Sequence, residues 1–109
     1  MRRYRFKGKT DDGIDVFGHL TVVRGGRAMI VTDDEKPYIV DADTVKEWTG
    51  FVDKGGQEIY EDAAVKYMGN PCDICYNAFA GKCYIYANGE VVQPLNAKTA
   101  QDCEAINFF

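Results

Sequence analysis

Short runs rich in Val, Ile, Tyr and Phe alternate along the chain with clusters of Gly, Asp, Asn and Pro, spaced about ten residues apart, and no long segment carries apolar residues at the helical period. The pattern predicts a mainly β chain. In the run 2–8, Tyr4 and Phe6 fall on one face and Arg3, Arg5 and Lys7 on the other, because successive side chains of a strand point to opposite sides. After the turn at Asp11, Asp12 and Gly13, the run 14–23 places Ile14, Val16, Leu20 and Val22 on one side, with Phe17 and His19 opposite. Gly25 and Gly26 supply the two positive φ angles of a tight hairpin, so 28–32 should return as the partner strand. The polar run 32–37 then closes that pair.

The same reading predicts strands at 38–40 and 44–52, the second carrying Trp48 and Phe51, with a turn at Asp41, Ala42 and Asp43 between them. A turn at 53–56 leads to a short strand at 58–60. Residues 61–68 fit either one helical turn or a strand, with the strand favoured. Asn70 and Pro71 should break the pattern. Further on, 83–87 runs into Asn88 and Gly89, the strongest short hairpin signal, with 90–93 as the returning arm and Pro94 as its end. A short helix is predicted over 97–105, before the apolar end at 106–109.

A length of 109 residues and a hydrophobic share of 46% fit one domain with a modest core. The net charge of −4 is unevenly spread: Arg2, Arg3, Arg5, Lys7 and Lys9 precede the first acid, Asp11, and the remainder is strongly acidic. An acidic body argues against general phosphate-backbone binding, which depends on Lys and Arg, and suits a protein partner with a basic surface. The start MRRYRFKGK is basic with no apolar stretch behind it, and no run is long enough to cross a bilayer, so a cytoplasmic location is expected. There the four cysteines should be free thiols or metal ligands.

Three segments together resemble the YopX-like family of phage and prophage proteins: YRFKGKTDDGIDVFGHL at 4–20, DADTVKEWTG at 41–50 and FVDKGGQEIYED at 51–62. The resemblance covers roughly residues 3–67 and lies in the combination, since each piece alone is ordinary turn chemistry. Members usually carry Gly-Asp after the Tyr-Glu of the third segment, where this chain has Asp62 and Ala63. The cysteine-bearing tail also departs from the family pattern. The resemblance implies a small antiparallel barrel-like or rolled sheet, SH3-like at the coarsest level, with a tendency to self-assemble and residence in a bacterial host. It supplies no catalytic residues. The expected organisation is a single domain, 1–109, with a β core at 1–69 and a tail at 70–109 that forms a β-hairpin packed on that core.

Candidate chemistry concentrates in the tail. Cys72 and Cys75 have the two-residue gap with which two thiolates grip one zinc ion, and Cys83 and Cys103 could complete a four-thiolate site. The alternatives are small buried hydrophobes with reduced thiols, or a disulfide or redox pair. His19 is the one histidine and reads as a surface or core-edge residue. Asp33, Asp34, Glu35, Asp41 and Asp43 flank one predicted hairpin and are either a partner-binding patch mimicking nucleic-acid phosphates or solvated loops. Tyr76, Phe79, Tyr84 and Tyr86 serve either a partner surface or the core. A nucleic-acid strip of Arg3, Arg5, Lys7 and Lys9 with Tyr4 and Phe6 as stacking rings fails on geometry, because alternation sends the two rings to the other face, so direct nucleic-acid binding is not expected.

These features predict a phage or mobile-element accessory protein that acts by stoichiometric binding rather than catalysis. By analogy with phage proteins of this size, blocking a host defence protein, as an anti-CRISPR protein does, is one such role. The rivals are a self-assembling scaffold without an external target and a zinc-stabilised nucleic-acid binder. No cofactor other than zinc is expected.

Overall fold

A computed structural model describes residues 5–106, apart from the side chain of Val22. Arg2, Arg3, Tyr4 and the terminal Asn107, Phe108 and Phe109 lie outside the described residues. Strands take up 58% of the structure and helix 7%, so the chain is mainly β as its pattern predicts. Packing divides it into two units, 1–48 and 49–109, each with its own core.

The first unit contains β1 (Phe6–Lys9), β2 (Asp15–Arg24), β3 (Arg27–Val31), β4 (Pro37–Asp41) and the start of β5 (Lys46–Val52), with a 3-10 turn at Ala42–Thr44. Neighbours are antiparallel in the order β4-β3-β2-β1-β5. Val16, Ala28, Ile30 and Val40 form the core, with Phe6, Leu20, Ala42 and Val45 packed against it. The sheet curls until β1 approaches β4 across the two strands between them. Two glycines permit this. A Cβ on Gly8 would lie 2.8 Å from Val40 Cγ2, and one on Gly18 would lie 2.0 Å from the Val31 carbonyl oxygen. A hydrogen bond from the Lys9 N–H to Thr44 Oγ1, 2.8 Å, ties the curled edge. This half-barrel is the rolled sheet expected from the sequence.

One alternation fails within β2. The register shifts between Leu20 and Val22, so Val23 rather than Val22 stands opposite the core residue Ala28. An extra residue in one strand of an antiparallel pair moves all later positions to the other face.

The second unit takes up the rest of β5, β6 (Glu58–Tyr60), β7 (Ala64–Tyr67), β8 (Asn70–Asn77), β9 (Lys82–Ala87), β10 (Glu90–Pro94), the single-turn helix α1 (Ala97–Ala100) and β11 (Cys103–Ala105). Five strands form an antiparallel sheet in the order β10-β9-β8-β7-β11. Its core is Ile59, Val65, Cys72, Ile74, Ile85, Leu95, Ala100 and Cys103. The packing therefore divides at 48/49 and not at the expected 69/70. Ile59 and Val65 share one core with the cysteine-bearing segment, which carries four strands of the sheet instead of a lone hairpin laid on a finished domain.

Two local expectations are corrected here. Asn70 and Pro71 open β8 instead of breaking the pattern, because the turn comes earlier, at Met68 and Gly69, both with positive φ. Pro71 precedes Asp73, the first β8 residue paired with β9, so its missing N–H leaves no ladder bond unmade. The helix predicted over 97–105 stops at Ala100. Asn96 caps it by accepting from the Lys98 and Thr99 N–H groups, and Cys103–Ala105 then pairs with β7.

Candidate functional site

The four thiols are all reduced, and β8 separates the two that the sequence pairs. Cys72 and Cys75 are three residues apart on a strand, so their side chains leave on opposite faces. Cys72 stands opposite Val65 in the core, whereas Cys75 stands opposite Tyr84 on the other face. A two-residue gap chelates zinc from a turn, not from an extended strand. Among the described residues, no three His, Cys, Asp or Glu side chains meet as a metal site would require. Cys103 is fully buried, and burial, with Cys72, Asp102 and Asp53 nearby, pushes its pKa up to about 11. Burial, with Asp62 and Asp73 adding to it, also raises that of Cys75. Neither environment favours a thiolate nucleophile. His19 is exposed on β2 opposite Val31, in the unit that holds none of the cysteines.

The five acidic residues do not form one patch. Asp33, Asp34 and Glu35 sit in the β3–β4 turn, whereas Asp41 ends β4 and Asp43 follows it, roughly 13 Å along the strand. Most have local duties. Asp33 accepts two hydrogen bonds from Arg5 Nη1, at 3.0 and 3.1 Å. Asp34 accepts from the Thr32 hydroxyl, which with Lys36 holds its carboxyl below the usual range. Asp41 Oδ1 accepts from the Asp43 N–H at 3.0 Å, starting the 3-10 turn.

The tail aromatics separate by role. Tyr84 and Tyr86 are half-buried on the outward face of β9 and meet edge to face at 6.4 Å, with Lys82 Nζ 5.5 Å from the Tyr84 ring centroid. They brace the sheet. Tyr76 is 54% exposed one residue pair below the β8–β9 turn, and Phe79 within that turn is wholly exposed. The turn that carries Phe79 is ordered. Asn77 Oδ1 accepts from the Phe79 N–H at 2.9 Å and the Ala80 N–H at 3.1 Å, and Gly81, with φ of 68°, donates to the Asn77 carbonyl at 2.8 Å. A bare phenyl ring is thus held on a fixed support. The sequence names the residue, but not its full exposure.

What sequence reasoning missed is Asp53. Its carboxylate is buried, and Oδ1 accepts from the N–H groups of Gly55 at 2.8 Å and Gln57 at 2.9 Å, while Oδ2 accepts from Ala105 at 3.0 Å. The acidic turn of the third resembling segment is therefore a structural staple. Its signal in the sequence is the Asp-x-Gly-Gly spacing.

The fold and its exposed residues define a small antiparallel β protein with an ordered aromatic hairpin tip. The chain matches no protein-family model and no curated protein sequence. No helix among the described residues is long and apolar enough to cross a membrane.

Proposed function

We propose that this chain is a non-catalytic accessory protein of a phage or mobile element, similar to the YopX-like family, that binds a protein partner stoichiometrically through the β8–β9 tip. The observation that carries this reading is Phe79, fully exposed on a turn fixed by three hydrogen bonds. Burying such a ring stabilises a complex by about 1.5–3 kcal/mol, and an ordered support removes the entropy cost of positioning it. Tyr76 beside the turn enlarges the apolar contact, and aromatic anchors of this kind dominate interface energies.

Charge indicates the partner. Residues 49–109 carry eight Asp or Glu against four Lys or Arg, whereas 1–48 carry nine of each. The unit bearing the tip thus holds the whole net negative charge, which steers it toward a basic surface such as that of a nucleic-acid-handling host protein. Inhibition of a host defence nuclease, the anti-CRISPR role, is the narrower form of this proposal.

The test is affinity capture from a bacterial lysate with the wild-type chain and with Phe79→Ser and Tyr76→Ser. The expected result is a basic protein retained by wild type, released by salt, and reduced at least tenfold by Phe79→Ser while that variant melts at an unchanged temperature. Equal retention by wild type and Phe79→Ser counts against the tip.

Self-assembly is favoured by one feature. Strand β10 ends its sheet with Val91 and Val92 exposed, an edge on which a second copy could pair. Light scattering on eluting protein distinguishes the two readings, since a strict monomer removes the scaffold.

A further inference from the structure

An edge strand presents a row of N–H and C=O groups to any extended chain that reaches it. At β11 that row is filled from within, since the Lys54 N–H donates to the Cys103 carbonyl at 3.1 Å and Asp53 Oδ2 accepts from the Ala105 N–H at 3.0 Å. Strand β4, which ends the amino-terminal sheet next to β3, has no such cover among the described residues. Its hydrogen bonds show which groups stay open. The Lys36 carbonyl accepts from the Thr32 N–H and the Ala42 N–H donates to the Gly26 carbonyl, both at 3.0 Å, so 36, 38, 40 and 42 turn toward β3. Alternation sends Pro37, Ile39 and Asp41 the other way. Pro37 therefore stands opposite Val31 without costing a ladder bond. Thr44 Oγ1 donates to the Asp41 carbonyl at 2.6 Å. The open row among the described residues is then the N–H groups of Ile39 and Asp41 and the carbonyls of Pro37 and Ile39. The side chain of Ile39, at the centre of the row, is 50% exposed.

Charge selects what fits there. Residues 32–44 hold five acids, Asp33, Asp34, Glu35, Asp41 and Asp43, and one base, Lys36. Arg5 pairs with Asp33, Lys36 lies 3.7 Å from Asp34, and Arg27, across from Asp41, bonds Asp11 at 2.6 Å. Arg5 and Lys36 against Asp33, Asp34 and Glu35 leave one negative charge at the turn end of the strand. Arg24 and Arg27 against Asp11, Asp41 and Asp43 leave one at the other end. Glu35, Asp41 and Asp43 are exposed. A second copy of β4 is a poor occupant, because antiparallel pairing about Ile39 sets the acids of one turn against Asp41 and Asp43 of the other chain, and parallel pairing sets like ends together.

We propose that the β4 edge takes up an extended basic segment of a protein partner as an added strand, with Lys or Arg toward each end of the segment and an apolar residue midway beside Ile39. Main-chain bonds to Pro37, Ile39 and Asp41 supply the attachment, and the acids supply the choice of sequence. The acidic ends lie roughly 13 Å apart, which an extended chain spans in about four residues. This edge belongs to the other packing unit from Phe79 and does not depend on the hairpin tip.

The experiment titrates the full chain with a short labelled peptide, arginine at both ends and alternating threonine and valine between, at about 20 mM and about 200 mM salt. Anisotropy follows binding, and NMR follows the amides of Ile39 and Asp41. Saturable binding should weaken at high salt, and both amides should exchange more slowly in the complex. The same peptide with glutamate at its ends should bind at least about tenfold more weakly. Ile39→Pro removes a donor that points away from β3 and should cost at least about tenfold in affinity. Glu35→Lys/Asp43→Lys leaves the backbone groups in place and should reverse the preference between the two peptides. Phe79→Ser should bind as wild type does. The proposal is overturned by absent binding at low salt, by equal affinity for the two peptides, or by affinities unchanged in variants that melt as wild type does. A dimer in light scattering, with the Ile39 and Asp41 amides already protected in the free protein, would overturn it in favour of a second copy.

Discussion

Asp53 shows how far one side chain can reach. Its two oxygens satisfy three backbone N–H groups, two within its own turn and one on β11, 52 residues further along the chain. Asp53→Asn removes the charge and turns an N–H group toward donors. The expected cost is about 2–4 kcal/mol, the range for breaking a buried charge-assisted network, read as a lower urea midpoint. A loss under about 0.5 kcal/mol would show that water replaces the carboxylate. The turn itself is legible from Asp53, Gly55 and Gly56, but the bond to Ala105 is not, because it depends on how β11 is placed. Asp62 makes a similar point. Its φ is 63°, so an aspartate fills a left-handed bend there. Asp and Asn adopt that conformation more readily than other non-glycine residues.

At the level of elements, alternation decides the fate of the cysteines. A gap of two residues joins ligands on a turn and parts them on a strand, and which applies depends on where β8 begins. Met68 and Gly69 form the turn, so Cys72 and Cys75 fall on the strand, on opposite faces. Purified protein should therefore contain far less than one zinc per chain, and a chelator should leave its melting temperature unchanged. Alkylation should modify half-buried Cys75 and Cys83 first, with Cys72 and Cys103 reacting only on unfolding. Cys103 adds a pH dependence. Its thiol ionises near 9.0 in the unfolded chain but at about 11 in the folded one, so the folded state binds more protons between those values. Stability should accordingly be intact below about pH 9 and fall as pH rises through about 11. Cys103→Ala should flatten that fall in urea titrations. A decline equally steep in the variant would assign it to other groups.

For the whole molecule, two separate cores predict two centres of protection. Amides around Ile30 and Val40 in one unit, and around Ile74 and Ile85 in the other, should exchange slowest with solvent. Slow exchange confined to one unit would mean that the other core does not hold by itself. Charge follows the same division, with the acidic unit carrying the aromatic tip and the other unit holding equal numbers of acids and bases.

By itself, the sequence determined what depends on near neighbours. Strand identity, most turns and the hairpin at Asn88 and Gly89 follow from side-chain alternation and from local φ requirements, which act over a few residues. Tertiary structure alone decided which strands lie side by side. Pairing between distant strands set the division at 48/49, buried Asp53 under β11, brought Cys103 beside Cys72 in one core and set Phe17 across from Lys7. Each of these depends on register, and register is fixed by how buried surfaces fit together, which no short stretch of chain encodes.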